Sequence, residues 1–293
     1  MKQRIEALQK SLAASSLDAA LITSGVNIRY YSGFTSSDGI LLVTQKSAYL
    51  VTDSRYTIQA KAQTKGLCEV LEAGFSDQLN HIRGFLQADG CKRAAFEDAV
   101  MTVKAFQAYQ AMPVEWVAFS AEISLPRLRK SADEVENLLA AQRIADKSFL
   151  ELLGRVGPGM SEMELAAELT YIGAKNGSEA PSFDPIIAAG PNGAMPHAVP
   201  GQRKLQSGDL VTVDFGCMIN GYHSDTTRTF AIGKVDDFSK EIYEIVKTAQ
   251  QKTLDALKSG ISGIALDAVA RDYITANGYG SQFGHGLGPG VGL

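Results

Sequence analysis

The sequence predicts two consecutive domains, an α/β layer domain over residues 1–126 and an α+β domain over residues 127–293. Three observations carry this prediction. Helix and strand patterns alternate up to about residue 125, as in a layered α/β domain. Pro126, a basic run and a helix-start signal then interrupt the alternation. Beyond them, two helices precede a strand–loop–hairpin segment with more helices behind it. At 293 residues the chain is long for a single core, and a hydrophobic content of 45% is ample for two.

In order, residues 3–14 carry helical spacing and lead into the strand LDAALIT. GILLVTQKSAYLVTD reads as strand, YTIQAKAQT as helix, CEVLEAG as strand, residues 78–88 as an amphipathic helix and RAAFED as strand. In SLPRLRKSADEVENL, Ser131 precedes Glu134 by three residues, the spacing of a capping box, so a helix is expected over 131–155. Gly157, Pro158 and Gly159 make a loop, and Ser161/Glu164 repeat the capping spacing for a second helix. A polar, proline-dotted stretch follows, then the hairpin segment, helices near 238–258 and 262–276, and a glycine-rich segment.

The net charge of −4 offers no footprint for nucleic acid, and no basic stripe stands out. The N-terminus lacks the continuous apolar run of a signal peptide, and no stretch is long enough to span a membrane, so a soluble cytoplasmic protein without membrane contacts is expected. Cys68, Cys91 and Cys217 are odd in number and without CxxC spacing, which points to buried free thiols.

The most informative segment is VTVDFGCMINGYHSDTTRTF. Val211, Val213 and Phe215 alternate as in a half-buried strand, and Asn220-Gly221 is a strong hairpin signal. A two-residue turn there pairs Ile219 with Tyr222 and sets Asp214 opposite Thr227, which makes Asp225 a diagonal neighbour of Asp214 on one face, roughly 7–8 Å away. Two readings stay open on spacing alone: acids beside a turn facing solvent, or a carboxylate pair bracketing divalent cations.

Taken in order, five motifs resemble the pita-bread metallopeptidases, and among them the Xaa-Pro peptidases, prolidase and aminopeptidase P. NIRYYSGFTSSDGILLV and AYLVTDSRYTIQA look like the creatinase-type N-terminal domain of these enzymes. LRKSADEVENLLAAQRIADKSF looks like the first catalytic-domain helix, MPHAVPG like the loop with an active-site histidine, and VDFGCMINGYHSDTTRTF like the segment with two metal-binding aspartates. GYGSQFGHGLGPGVGL looks like the loop that brings a metal-binding histidine. The resemblance implies a creatinase-like α/β domain followed by a pita-bread α+β domain, and a homodimer. It also implies a centre of two divalent ions (Mn, Co or Zn) held by two aspartates, one histidine and two glutamates. Asp214 and Asp225 match the aspartates; His197 matches the histidine near the substrate carbonyl, and His285 the first histidine of the glycine-rich loop, beside the substrate or metal.

Two departures from the family pattern stand out. The family's glycine-rich loop places its metal histidine where Pro289 stands, unless the alignment slides so that His285 takes that role. Both family glutamates lie beyond the last residue, Leu293. The resemblance therefore implies a pita-bread domain truncated at its C-terminus, with an unpaired sheet edge, exposed apolar surface and little or no catalysis by the chain as it stands. The expected activity is metal-dependent hydrolysis of the Xaa-Pro bond in dipeptides or short peptides. The alternative is a non-catalytic peptide-binding or protein-interaction member of the same fold.

The remaining candidates have plainer readings. His223 shares the face of Asp214 and Asp225 by strand parity, leaving open a substitute ligand or a hydrogen bond to a hairpin neighbour. Arg228 points to the other face and is expected to secure a carboxylate elsewhere. His81 is read as a surface residue; Trp116, Tyr30 and Tyr31 as core or interface. The glycines at 284–292 lack the strand–glycine–helix context of a phosphate loop.

Overall fold

The computed structural model describes residues 1–36, 38–288 and 290–293, which divide into two units, Met1–Lys130 with Leu293 and Ser131–Gly292. The first unit runs α1 (Lys2–Ala14), β1 (Ala19–Ile22), α2 (Gly25–Ser32), β2 (Gly39–Thr44), β3 (Ala48–Thr52), α3 (Thr57–Thr64), β4 (Glu69–Glu72), α4 (Phe75–Ala88), β5 (Arg93–Phe96), α5 (Val103–Gln110), β6 (Glu115–Ala118) and α6 (Ser120–Ser124). Among the described residues its strands form one six-stranded sheet in the order β4-β3-β2-β1-β5-β6. β2 pairs antiparallel with β1 and β3, and the remaining pairings are parallel.

Both faces of this sheet are covered, which is why its strands are apolar almost throughout. Successive residues go to opposite layers. Ile22, Leu41, Val43 and Leu50 join Ile5, Leu8 and Leu12 of α1 in one core, while Leu21, Ile40, Leu42 and Val51 join Ile82 and Leu86 of α4 in the other. Tyr30 and Tyr31 are buried in the first core and Trp116 is partly buried against the second, donating from Nε1 to Tyr109 O. His81 is a correction: it is half-buried, its ring 6.3 Å from that of Phe85. α4 presents residues four apart on one face, so His81 and Phe85 stack along it. Of the short helices, α3 is expected from the sequence, whereas α2, α5 and α6, of eight, eight and five residues, are not.

The second unit runs α7 (Ala132–Leu153), α8 (Glu162–Lys175), β7 (Ile186–Ala189), β8 (Leu210–Phe215), β9 (Met218–Ile219), β10 (Tyr222–His223), β11 (Thr226–Ala231), α9 (Asp237–Ala256) and α10 (Gly263–Ala276). Both capping boxes form where their spacing placed them, Ser131 with Glu134 and Ser161 with Glu164, each side chain satisfying the other residue's backbone N–H. β11, β8 and β7 make an antiparallel sheet with β8 in the middle. Val211, Val213 and Phe215 of β8 bury against Leu152 of α7 and Leu165, Leu169 and Ile172 of α8. Strand alternation then turns Thr212 and Asp214 to the opposite face. α9 and α10 pack on each other through Ile245, Ala249, Ala270 and Ile274. Among the described residues β7 and β11 are the edges of this sheet, and no helix is long and apolar enough to cross a membrane. All three cysteines are buried free thiols, and burial pushes Cys68 up to about 12 and Cys91 up to about 11.

The second capping box gives a test by pH. The Ser161 backbone N–H, reinforced by Lys204 Nζ at 3.0 Å, holds the Glu164 carboxyl down at about 2, from an ordinary value of 4.5. A lowered native value contributes stability above the unfolded value, and that stability is lost as pH falls from 4.5 toward about 2. Urea denaturation across this range is expected to show Glu164→Gln less stable than the wild type at pH 7, with the difference closing as pH approaches 2.

Candidate metal centre

The hairpin turn comes first, because it decides what faces what. Asn220 (φ 48°) and Gly221 (φ 73°) both occupy the left-handed region that a type I′ turn requires. Their backbone N–H groups donate to the two carboxylate oxygens of Glu179, at 2.8 and 3.2 Å, which ties the turn to the preceding loop. Ile219 pairs with Tyr222 and Asp214 with Thr227, the register the turn dictates.

The ladder is interrupted between these pairs. Cys217 N donates to the Ser224 hydroxyl at 2.9 Å, and Ser224 N donates to Cys217 O at 2.9 Å, so a side chain takes the place of one ladder carbonyl. The backbones close in at this point: a Cβ on Gly216 would lie 1.8 Å from Ser224 O. Only glycine fits that approach. Each residue of the Asp214-Phe215-Gly216 run thus has its own task. The acid faces one side, Phe215 anchors in the helical core, and Gly216 lets the opposite strand come near enough to bring Asp225 across.

Asp214 and Asp225 are both half-buried. Thr227 Oγ1 donates to Asp214 Oδ1 at 2.9 Å. Burial, and then the neighbouring Asp214 carboxylate, raise the Asp225 carboxyl above the ordinary 3.8. Two oxygen-donor carboxylates that repel each other suit a hard or borderline divalent cation, since a shared cation relieves both repulsion and desolvation. Among the described residues no group of three or more His, Cys, Asp or Glu forms a metal site, so neither His223 nor another histidine joins the pair in such a group. His223 has other interactions, including its backbone N–H to Gly292 O at 3.0 Å. Arg228 turns away and reaches Asp146 of α7 at 3.4 Å.

His197 and His285 lie exposed on separate loops. His197 stands between Pro196 and Pro200 in the connection from β7 to β8. Nδ1 of His285 is 2.8 Å from Gly286 O, and its ring meets Phe283 edge-on at 5.5 Å. Arg271 of α10 secures this glycine-rich loop by donating to Phe283 O and His285 O at 2.7 and 2.9 Å, while Asp267 accepts from Leu287 N. Pro289, expected in the place of the family's metal histidine, lies outside the described residues.

Comparison with known proteins gives the setting. Residues 136–293 match the model of metallopeptidase family M24, and residues 4–129 match the creatinase/prolidase N-terminal domain. An Xaa-Pro dipeptidase of Pyrococcus furiosus is 34% identical over 100% of this chain and 83% of its own length. An Xaa-Pro dipeptidase structure from Bacillus anthracis superposes with a TM-score of 0.94 at 36% identity, covering 99% of this chain and 81% of that one. A prolidase structure from Pyrococcus horikoshii gives 0.92 at 32% identity, covering 99% and 82%.

Two expectations follow. A native carboxyl raised above its unfolded value stabilises at low pH, and that contribution is lost as pH rises through the native value. In metal-free protein Asp225→Asn is therefore expected to raise the thermal midpoint at pH 7, with the gain vanishing below the unfolded value near 3.8. Gly216→Ala is expected to destabilise by about 3 kcal/mol in chemical denaturation, the upper part of the range for overpacking, because the 1.8 Å contact is with backbone.

Proposed function

This chain belongs to metallopeptidase family M24 and carries a creatinase/prolidase N-terminal domain, and we propose that it is built to hydrolyse the Xaa-Pro bond of dipeptides or short peptides from the amino side. The observation that carries the reading is the convergence of Asp214 and Asp225 across a hairpin whose turn, interruption and core anchor all serve that placement. The Xaa-Pro dipeptidases among its relatives supply the substrate class.

In this reading Asp214 and Asp225 hold divalent metal, with Mn, Co and Zn the candidates. Metal ions so placed supply Lewis acidity toward a peptide carbonyl and a stronger nucleophile from water. Thr227 orients Asp214 by a hydrogen bond to Oδ1. His197, on a loop stiffened by prolines, donates a hydrogen bond to the carbonyl oxygen as charge develops there. His285 lines the substrate side from the glycine-rich loop.

The described residues supply two carboxylate ligands, and two leave most of a coordination shell to water. Asp214 and Asp225 by themselves are accordingly proposed to bind metal weakly. The alternative is a peptide-binding member of the fold without catalysis.

Calorimetric titration of Mn²⁺, with Asp225→Ala beside the wild type, separates these. Binding on the order of 10⁻⁴ M or weaker, lost in the variant, is expected for a carboxylate pair. Tight two-site binding would show that further groups complete the shell, and binding unaffected by the substitution would sink the assignment of Asp225. Where Mn²⁺-dependent hydrolysis of an Xaa-Pro dipeptide is measurable, His197→Ala is expected to lower turnover about 10²-fold.

A further inference from the structure

The loop that carries His197 closes on one buried side chain. Glu162 is the first residue of α8, a position where an acid is ordinarily solvated and favourable to the helix dipole. Here it is 0% exposed. Its Oε1 accepts from Ala189 N at 2.8 Å and Asn192 Nδ2 at 2.9 Å, and its Oε2 accepts from Asn192 Nδ2 at 3.1 Å and Gly201 N at 3.1 Å. Ala189 ends β7, Asn192 lies in the 3-10 turn Gly190–Ala194 that follows it, and Gly201 lies just past the second of the prolines flanking His197. Every one of these donors belongs to the segment that presents His197.

Main-chain bonds reinforce the far end, where Met163 N donates to Gly201 O at 3.0 Å and Glu162 N to Arg203 O at 3.1 Å. At the near end Gly190 (φ +52°) sits directly on the Arg203–Asp209 pair. A Cβ there would meet Asp209 Oδ1 at 2.4 Å, and the pair itself is bidentate at 2.7 and 2.8 Å. Between these clamps the loop is mostly exposed, with Val199 at 86%. A buried carboxylate is costly unless its oxygens are fully hydrogen-bonded. Only a carboxylate offers acceptors on both oxygens at once, which lets one rigid side chain hold both ends of the loop.

We propose that Glu162 is a positioning residue for His197, setting the direction of the imidazole by fixing both ends of residues 189–201 to the start of α8. The inference rests on the reading of His197 as a substrate-facing group. Glutamine at this position would point an amide N–H at one of the donors it now accepts from, so Glu162→Gln breaks at least one contact while keeping the shape.

The test is hydrogen–deuterium exchange on the full chain, with the His197 ring followed by NMR. In Glu162→Gln, the Ala189 and Gly201 amides and the other non-proline amides between them are expected to exchange at least about tenfold faster, as befits one lost buried hydrogen bond. The His197 ring signal shifts with them, and the amides of β8 stay protected. Should Glu162→Gln fail to fold, Asn192→Ala decides, since it removes two contacts from the loop side and leaves the helix untouched. Wild-type exchange with an unmoved ring in either folded variant overturns the proposal, as does loosening spread equally through β8. If His197→Ala left Xaa-Pro dipeptide hydrolysis unchanged while the loop still loosened in Glu162→Gln, the reading of His197 would fail and the clamp would stand.

Discussion

Asp214 and Asp225 repel each other, so something else must keep them together, and in this fold it is the register of one hairpin. Asn220 and Gly221 accept the left-handed conformations that a tight turn demands, and Glu179 binds both of their N–H groups. From that turn the pairing counts back without a slip to Asp214 opposite Thr227. A shift of one residue would send Val211, Val213 and Phe215 out of the core and turn Asp214 into it. The apolar contacts with α7 and α8 therefore enforce the same register as the turn. Two independent forces act on one placement, and the carboxylate pair bears the electrostatic cost.

The cost is visible in Asp225, whose carboxyl is raised first by burial and then by Asp214. Sites that store such strain lower the stability of the empty protein and recover it when a cation arrives. The neighbouring architecture is comparatively stiff. Two capping boxes start the helices behind the sheet, and a side-chain hydroxyl replaces a ladder carbonyl where the strands come nearest. The two loops bearing histidines are each held from their bases, one by Glu162 and the other by Arg271 with Asp267. Exposed loop tips on fixed bases keep a side chain accessible without losing its direction.

Much of this was legible because its causes are local. A capping box needs residues three apart, a type I′ turn needs two, and strand alternation needs a handful, so Ser131, Ser161, Asn220-Gly221 and the β8 core residues could be read directly. Of the short helices of the first unit α3 was legible, whereas α2, α5 and α6 were not, since a period over one or two turns is a weak signal. His81 was misplaced because partial burial depends on what packs over a helix face, in this case Phe85 one turn on. Glu162 was passed over between Ser161 and Glu164, where a first-turn acid is unremarked. Its four contacts come from residues 27 to 39 positions away.

The sequence by itself determined the family, the hairpin register and the identity of the two facing aspartates, since each follows from neighbouring residues or from motif order. Tertiary structure alone decided that Glu162 is buried beneath the His197 loop, that Gly216 is required by a backbone carbonyl across the hairpin, and that Asp225 titrates high. Burial, close approach and field are properties of what surrounds a residue. Chain neighbours do not specify them until the chain has folded back on itself.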